Sequence, residues 1–298
     1  YHNVDEPFKA LLTQGMVCHE TYQDKQGNWL YPEQVERLGE GKYRIIESGE
    51  EITSGASIKM SKSKCNTVDP AGIIEKYGAD TARLFMLSDS PPERDLEWSE
   101  GGIEGAYKYL CRFWNVIIKA KGLKVSENIL QQAEGENLEL RKTTHKTIDE
   151  VTRNIESFHL NKVVAKIREL TNKMEKFDIS TDVNKAAYNE AAETALKLLN
   201  PIVPHITEEF WQILGNEQSL CNYSWPVAEQ ALLEDDEITL VVQVNGKVRA
   251  KIQLPKDTEK EKAEAEAFKQ PAIEKNISEK QVRKVIYVPN KILNIVVG

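Results

Sequence analysis

The chain has 298 residues, 29% of them charged and 40% hydrophobic, enough for two or three domains with a sizeable core. No apolar run approaches a membrane span, no signal peptide is visible, and Cys18, Cys65, Cys111 and Cys221 form no C-x-x-C pair. This leaves out a helical membrane protein and a secreted disulfide scaffold, and argues against a zinc site. The net charge of −8 is uneven: Ile238 to Gly298 holds 12 Lys and Arg against 7 Asp and Glu, which is +5 and leaves −13 for the rest. The tail therefore carries the charge suited to a polyanion.

Residues Glu6 to Gln14 follow a short helical pattern, and Gly15-Met16-Val17 opens a strand. From Thr21 to Gly55 a small β-rich segment is expected. Asn28-Trp29-Leu30-Tyr31 and Tyr43-Arg44-Ile45-Ile46 have strand character, and Gln26-Gly27 and Gly39 to Gly41 punctuate them. A polar loop, Ser48 to Gly55, then leads to Lys59-Met60-Ser61-Lys62-Ser63-Lys64, which places three ammonium groups and two hydroxyls within six residues. Asp69 reads as an N-cap with Pro70 at the first helical position, and Gly78 ends that helix. A mobile cationic loop before a helix N-terminus can close on a polyphosphate. On loop chemistry alone, a solvated Lys/Ser loop is the other reading. Asp80 is predicted to cap a second helix over Thr81 to Ser88, and Ser90 to Trp98 is a proline-broken connector.

From Ser99 to Leu214 five helices are predicted, at about Gly102 to Ala120, Asn137 to Glu156, Leu160 to Lys176, Val183 to Leu199 and Pro204 to Leu214. Each has an apolar stripe that needs a partner helix, and an antiparallel bundle satisfies them all. On the first helix the stripe is Ile103, Ala106, Tyr107, Leu110, Phe113, Trp114 and Ile117. Asn222 to Glu237, with its acidic run Glu234-Asp235-Asp236-Glu237, reads as a linker. Beyond it Ile238 to Val244 and Val248 to Leu254 form a hairpin about Asn245-Gly246. Pro255 to Gln270 is a charged helix, and Val282 to Val288 and Ile292 to Val297 are two more strands. Strict alternation puts Lys247, Arg249 and Lys251 on one face, which Arg283, Lys284 and Lys291 can join. The histidines His2, His19, His145, His159 and His205 have no metal-ligand spacing, and no metal site is expected.

Three segments carry a family resemblance. The first is Ser57-Ile58-Lys59-Met60-Ser61-Lys62-Ser63-Lys64-Cys65-Asn66 with Val68-Asp69-Pro70 and Tyr77-Gly78-Ala79-Asp80-Thr81-Ala82-Arg83-Leu84-Phe85. The second is Leu96-Glu97-Trp98 with Gly101, Glu104-Gly105-Ala106 and Arg112-Phe113-Trp114. The third is Val242 to Lys251 with Val282 to Pro289. With them the chain resembles the C-terminal third of bacterial leucyl-tRNA synthetases, class I aminoacyl-tRNA synthetases. The first two segments also suit valyl or isoleucyl relatives, and the tail is leucyl in type.

The resemblance implies a multidomain α+β fold, mainly α. Residues 1–98 would be the end of a Rossmann-like catalytic domain, with a leucine-specific-type insertion at about 21–55 and the signature loop. Residues 99–221 would be the helical anticodon-binding-type domain, 222–237 a linker, and 238–298 a small C-terminal tRNA-binding α+β domain. It also implies leucine activation by ATP, with Mg2+ expected on the phosphates, followed by transfer to tRNA(Leu) in the cytoplasm. Lys62 would make the main contact to the triphosphate and Lys59 would assist. Ser61 and Ser63 would bond phosphate or brace the loop, and Met60 would pack beneath it. Lys247, Arg249, Lys251, Arg283 and Lys284 would contact tRNA phosphates.

No His-x-Gly-His element occurs in the sequence, nor does the threonine-rich editing domain expected upstream. The chain begins at Tyr1 in mid-pattern, and an excerpt of a longer protein, inactive alone, is expected. The alternatives are a non-catalytic tRNA-binding protein and the smaller subunit of a naturally split synthetase.

Overall fold

The computed structural model describes residue 6 and residues 8–298 apart from 124, 235, 236, 279 and 280. Expectations for Tyr1, His2, Asp235 and Asp236 lie outside the described residues. The chain forms two compact units, Tyr1–Ala228 and Glu229–Gly298.

In the first unit, residues 8–16 form no helix, contrary to the expected pattern. Phe8 and Leu11 stay exposed, and a short uncapped segment without a packing partner does not hold a helix in water. The chain then enters β1 (Val17–His19), β2 (Tyr22–Gln23), β3 (Trp29–Leu30), β4 (Val35–Gly39), β5 (Lys42–Ile45), β6 (Glu51–Thr53), β7 (Ile58–Lys59) and, past two helices, β8 (Leu96–Glu97). β2 pairs with β3, and β4-β5-β6 form an antiparallel sheet. These strands make the β-rich insertion, in which the Tyr22 and Tyr43 rings lie 4.7 Å apart. Both hydroxyls donate to Glu20 Oε2, at 3.3 and 2.5 Å, while Ser54 Oγ donates to Oε1 at 3.1 Å. Burial pushes both phenols above their ordinary value, Tyr22 the more strongly with the Tyr43 hydroxyl adding to it, and the Glu20 carboxylate raises both further. The polar stretch from Ser48 to Gly55 is no open loop, since β6 lies within it.

The second sheet has the order β7-β1-β8, with β1 antiparallel to β7 and parallel to β8. β8 lies inside the proline-broken connector, which therefore returns into the sheet. Gly15 makes this return possible: a Cβ there would collide with the Arg94 carbonyl, and its N–H donates to Pro92 O at 2.8 Å.

Helix α1 (Pro70–Tyr77) starts as predicted, Asp69 accepting the Ala71 N–H at 2.9 Å, and ends at Gly78, φ +83°. Helix α2 (Ala79–Ser88) follows at once, and Asp80 does not cap it. Its carboxylate instead takes the Ile206 N–H at 2.7 Å and His205 Nδ1 at 2.8 Å, and so caps the helix that begins at Pro204. Gly78, with no side chain to offer, sits at the N-cap of α2.

Helices α3 (Glu100–Ile117), α4 (Gly135–Glu156), α5 (Leu160–Glu175), α6 (Asp182–Leu199) and α7 (Pro204–Ile213) fall within two residues of the predicted limits, α3 running on through a 3-10 turn to Ala120. One core joins them to α2 and β8 through Leu84, Phe85, Leu96, Phe113, Ile167, Tyr188 and Trp211. Two members of the predicted α3 stripe are not in it: Tyr107 and Trp114 are 42% and 40% exposed. The inward side of α3 instead includes Tyr109, buried against Thr171 of α5. Part of the expected linker also packs on the bundle, since Trp225 Nε1 donates to Thr152 Oγ1 at 2.8 Å.

The second unit holds α8 (Gln230–Leu233), β9 (Glu237–Val244), β10 (Lys247–Pro255), α9 (Lys260–Phe268), α10 (Pro271–Ile277), β11 (Val282–Val288) and β12 (Ile292–Val297). The sheet order is β10-β9-β12-β11, with β9 and β12 parallel at the centre. Asn245 and Gly246, φ +49° and +76°, make the predicted hairpin turn. The charged helix expected over Pro255 to Gln270 is shorter, because β10 runs on to Pro255 and α9 starts only at Lys260, and α10, which Pro271 starts, was not expected. Ala263, Ala267 and Ile273 of these helices are buried against Leu240, Val242, Leu293 and Ile295 of the central strands.

Candidate nucleotide-phosphate site

The signature stretch begins as strand. Cys18 lies opposite Lys59 and His19 opposite Ile58, and Met60 N–H donates to Val17 O at 2.9 Å. Lys59 is therefore set by the sheet, whereas the loop proper runs from Ser61. There a 3-10 turn over Lys62–Lys64 closes through Lys64 N–H to Ser61 O and Cys65 N–H to Lys62 O. Cys65 takes the left-handed conformation, φ +53°, which lets the chain leave the turn toward α1.

Asn66 is the residue that fastens this loop. Its side chain is fully buried, and Oδ1 accepts the Ser61 N–H at 2.8 Å while Nδ2 donates to His19 O and Ile58 O, each at 3.1 Å. One amide thus satisfies the first N–H of the loop and ties it to both strands beneath. Sequence reasoning noted Asn66 and gave it no role. Its position just after a Lys/Ser loop, where a buried amide can bond backbone, was the available signal.

Above this anchor, Lys59, Lys62 and Ser63 are exposed, and neither Lys59 nor Lys62 forms an ion pair among the described residues. Ser61 Oγ and Ser63 Oγ lie 2.7 Å apart, so one hydroxyl braces the other. Lys64 points elsewhere, its Nζ 4.3 Å from the Trp29 ring of the insertion. Met60 lines an apolar cavity of about 260 Å³ together with Val17, Ile73, Met86 and Trp98. Burial pushes the His19 imidazole down, so it adds no positive charge beneath the loop at neutral pH. The arrangement is two free ammonium groups and a hydroxyl pair on a rigid base, with α1 beginning a few residues later. The Asp69 carboxylate at the start of α1 offsets part of the field of that helix terminus.

The tail cations are all exposed, and the structure separates them. A bulge between Val248 and Ala250 breaks the alternation of β10. Lys251 lies opposite Val241, on the open face, whereas Lys247 lies opposite the buried Val244, on the helix-covered face. The three cations of β10 therefore do not share one face, because an inserted residue reverses the register of everything before it. Arg249 occupies this bulge, and Arg283 occupies a second one between Val282 and Lys284 on β11. Lys284, opposite Val296, shares the open face with Lys251 from the other edge of the sheet.

The sequence model for class I tRNA synthetases (I, L, M and V) matches residues 38–99, which contain the loop, and that for the anticodon-binding domain of tRNA ligases matches residues 137–265. The leucine--tRNA ligase of Paramagnetospirillum magneticum is 48% identical over 297 residues, all of this chain and 34% of the relative. That of Rhodospirillum rubrum is 44% identical over 303 residues, again all of this chain and 35% of the relative. Over its whole length the chain is homologous to leucine--tRNA ligases. It spans about a third of the length of these relatives. The fold agrees: the LeuRS of Agrobacterium radiobacter K84, solved with tRNA and LeuAMS, superposes with a TM-score of 0.67 at 26% identity, covering 80% of this chain and 32% of that one. No described helix is long and apolar enough to cross a membrane.

Proposed function

We propose that this chain supplies the phosphate-binding loop and the tRNA-holding modules of a leucine--tRNA ligase acting in the cytoplasm. In that enzyme leucine's carboxylate attacks the α-phosphate of ATP, pyrophosphate leaves, and the leucyl group passes to tRNA(Leu). Negative charge gathers on the departing phosphates, and preorganised cations aimed there lower the barrier. Lys62, free of any partner among the described residues, is the main contact to the triphosphate, and Lys59 assists from the end of β7. Ser61 and Ser63 donate to phosphate or to each other. The observation that carries this reading is the buckle: Asn66 fixes the base of the loop on β1 and β7 while leaving both ammonium groups unpaired.

The loop offers ammonium groups and hydroxyls, a donor set that does not fit a resident Mg2+ ion. The Mg2+ expected with ATP belongs to the substrate, held by its phosphates. The missing His-x-Gly-His element supports a division of labour in which the partner half of the adenylate site, leucine recognition and editing belong to the portion of the ligase outside this chain. Lys251 and Lys284 on the open face, with Arg249 and Arg283 in the bulges and Lys247 on the opposite face near the hairpin turn, contact tRNA phosphates. Such contacts position the RNA and do not read its sequence.

Amine-specific labelling of the full-length ligase tests the loop assignment. MgATP with leucine should slow labelling of Lys59 and Lys62 and leave Lys247 and Lys251 unaffected. Equal labelling rates with and without nucleotide would overturn it.

A further inference from the structure

The larger unit has a second concavity, of about 700 Å³, that the loop chemistry does not use. One wall is the outward stripe of α3, where Tyr107, Trp114 and Asn115 recur at helical spacing. The other is formed by the Gly78–Thr81 turn and the start of α7, with Asp80, His205 and Glu209. Its volume falls in the range of small-ligand pockets.

The side chains here are arranged for a flat, neutral group with hydrogen-bond donors. Tyr107 and Trp114 expose about two-fifths of their surface, and part of the Trp114 ring rests on Phe210, 4.5 Å between centroids. Both rings line the cleft, Tyr107 set edge to face against Tyr77 with 5.7 Å between centroids. Asp80 accepts at His205 Nδ1 with one oxygen and from the Ile206 N–H with the other. The imidazole is thereby oriented with Nε2 free, and its side chain is 74% exposed. Glu209, one turn further along α7, adds a carboxylate. No lysine or arginine lines the cleft among the described residues, so a phosphate would meet two acidic side chains and no fixed cation. Aromatic faces combined with acceptors instead match a nucleobase bearing an exocyclic amine, the unit that RNA-binding surfaces stack and read edge-on.

We propose that this cleft receives an unpaired adenine or cytosine of the bound RNA, stacked on Trp114 and Tyr107 with its amine donating to Glu209. The proposal rests on the reading that the chain holds tRNA. The test therefore has two arms.

In the first, adenosine, cytidine and adenosine monophosphate are titrated into the 298-residue chain, and the tryptophan indole N–H signals are followed by NMR. Trp114 is assigned by its loss in Trp114→Leu. Its signal should shift with either nucleoside, shift less with the monophosphate, and shift less with adenosine in Glu209→Gln. In the second arm, affinity for a tRNA(Leu) transcript should fall about tenfold in Trp114→Leu, the scale of one stacked base, with an unchanged dependence on salt. Loss of a phosphate contact would instead flatten that dependence. A Trp114 signal unmoved by millimolar nucleoside overturns the proposal, and so does unchanged tRNA affinity in a Trp114→Leu protein whose melting matches wild type. Nucleoside shifts without any tRNA binding would sink the tRNA reading and keep the base site. Glu209→Gln, at an exposed position, keeps the first arm decisive should Trp114→Leu misfold.

Discussion

Replacing Asn66 with alanine removes three hydrogen bonds from a site that water does not reach. The Ser61 N–H loses its acceptor, and the His19 and Ile58 carbonyls lose a donor. At about 1 kcal/mol for each bond, the change destabilises the larger unit by about 3 kcal/mol, a cost confined to the loop base if only that region opens. Asn66→Asp separates geometry from bonding. It keeps an acceptor for Ser61 but turns a second oxygen toward two carbonyls in a buried place, so it should cost at least as much as alanine. Urea melts of the chain read the first quantity, and native-state hydrogen exchange at Met60 and Ser61 reads local opening. In full-length ligase both variants should also slow leucine-dependent pyrophosphate exchange by at least about tenfold, because a catalytic group displaced by about 1 Å loses that much or more. Wild-type melting, exchange protection and pyrophosphate exchange in Asn66→Ala would refute the idea that this amide holds the loop.

Asp80→Ala should destabilise the larger unit by about 2 kcal/mol in a denaturant melt, since the Ile206 N–H at the start of α7 loses its acceptor. Glu190 sits in a buried cluster: Arg141 donates to it at 2.9 and 3.1 Å, and His145 Nε2 lies 3.2 Å away. Burial raises its pKa, but the bonds from His145 and Arg141 outweigh this and hold the carboxyl below its ordinary value. A lowered folded pKa gives stability that is full above the unfolded value and is lost as pH falls through the folded one. Glu190→Gln should thus cost about 2 kcal/mol at pH 7 and less at pH 3, as thermal melts at the two values will show. For the tail, Lys251→Ala and Lys284→Ala should each weaken tRNA(Leu) binding and reduce its salt slope by about 1, and filter binding across a salt series measures both.

The helices of the bundle were legible because their apolar residues recur every three or four positions, and Asp69 marked the start of α1, which the structure bears out as a side-chain cap. The Asn245-Gly246 hairpin was legible from two residues. What the sequence concealed depends on partners far along the chain. Asp80 looks like a local cap and serves a helix 126 residues later. Leu96 and Glu97 form a strand only because β1 offers an edge, and no two-residue pattern announces that. The alternation of Lys247, Arg249 and Lys251 was real in sequence and false in space, because nothing local signals a one-residue bulge. Tyr107 and Trp114 fit the α3 stripe by spacing. Periodicity alone could not distinguish the face turned to the core from the neighbouring face turned to the cleft. At the loop, the cations and hydroxyls were apparent from composition, while the buried amide beneath them needed the fold.

Whether Lys62 acts at the triphosphate is tested most directly by pyrophosphate exchange in the full-length ligase carrying Lys62→Ala. A fall of at least about tenfold at saturating ATP and leucine is expected, the low end for removing one charge-stabilising group. An exchange rate equal to wild type would contradict that role.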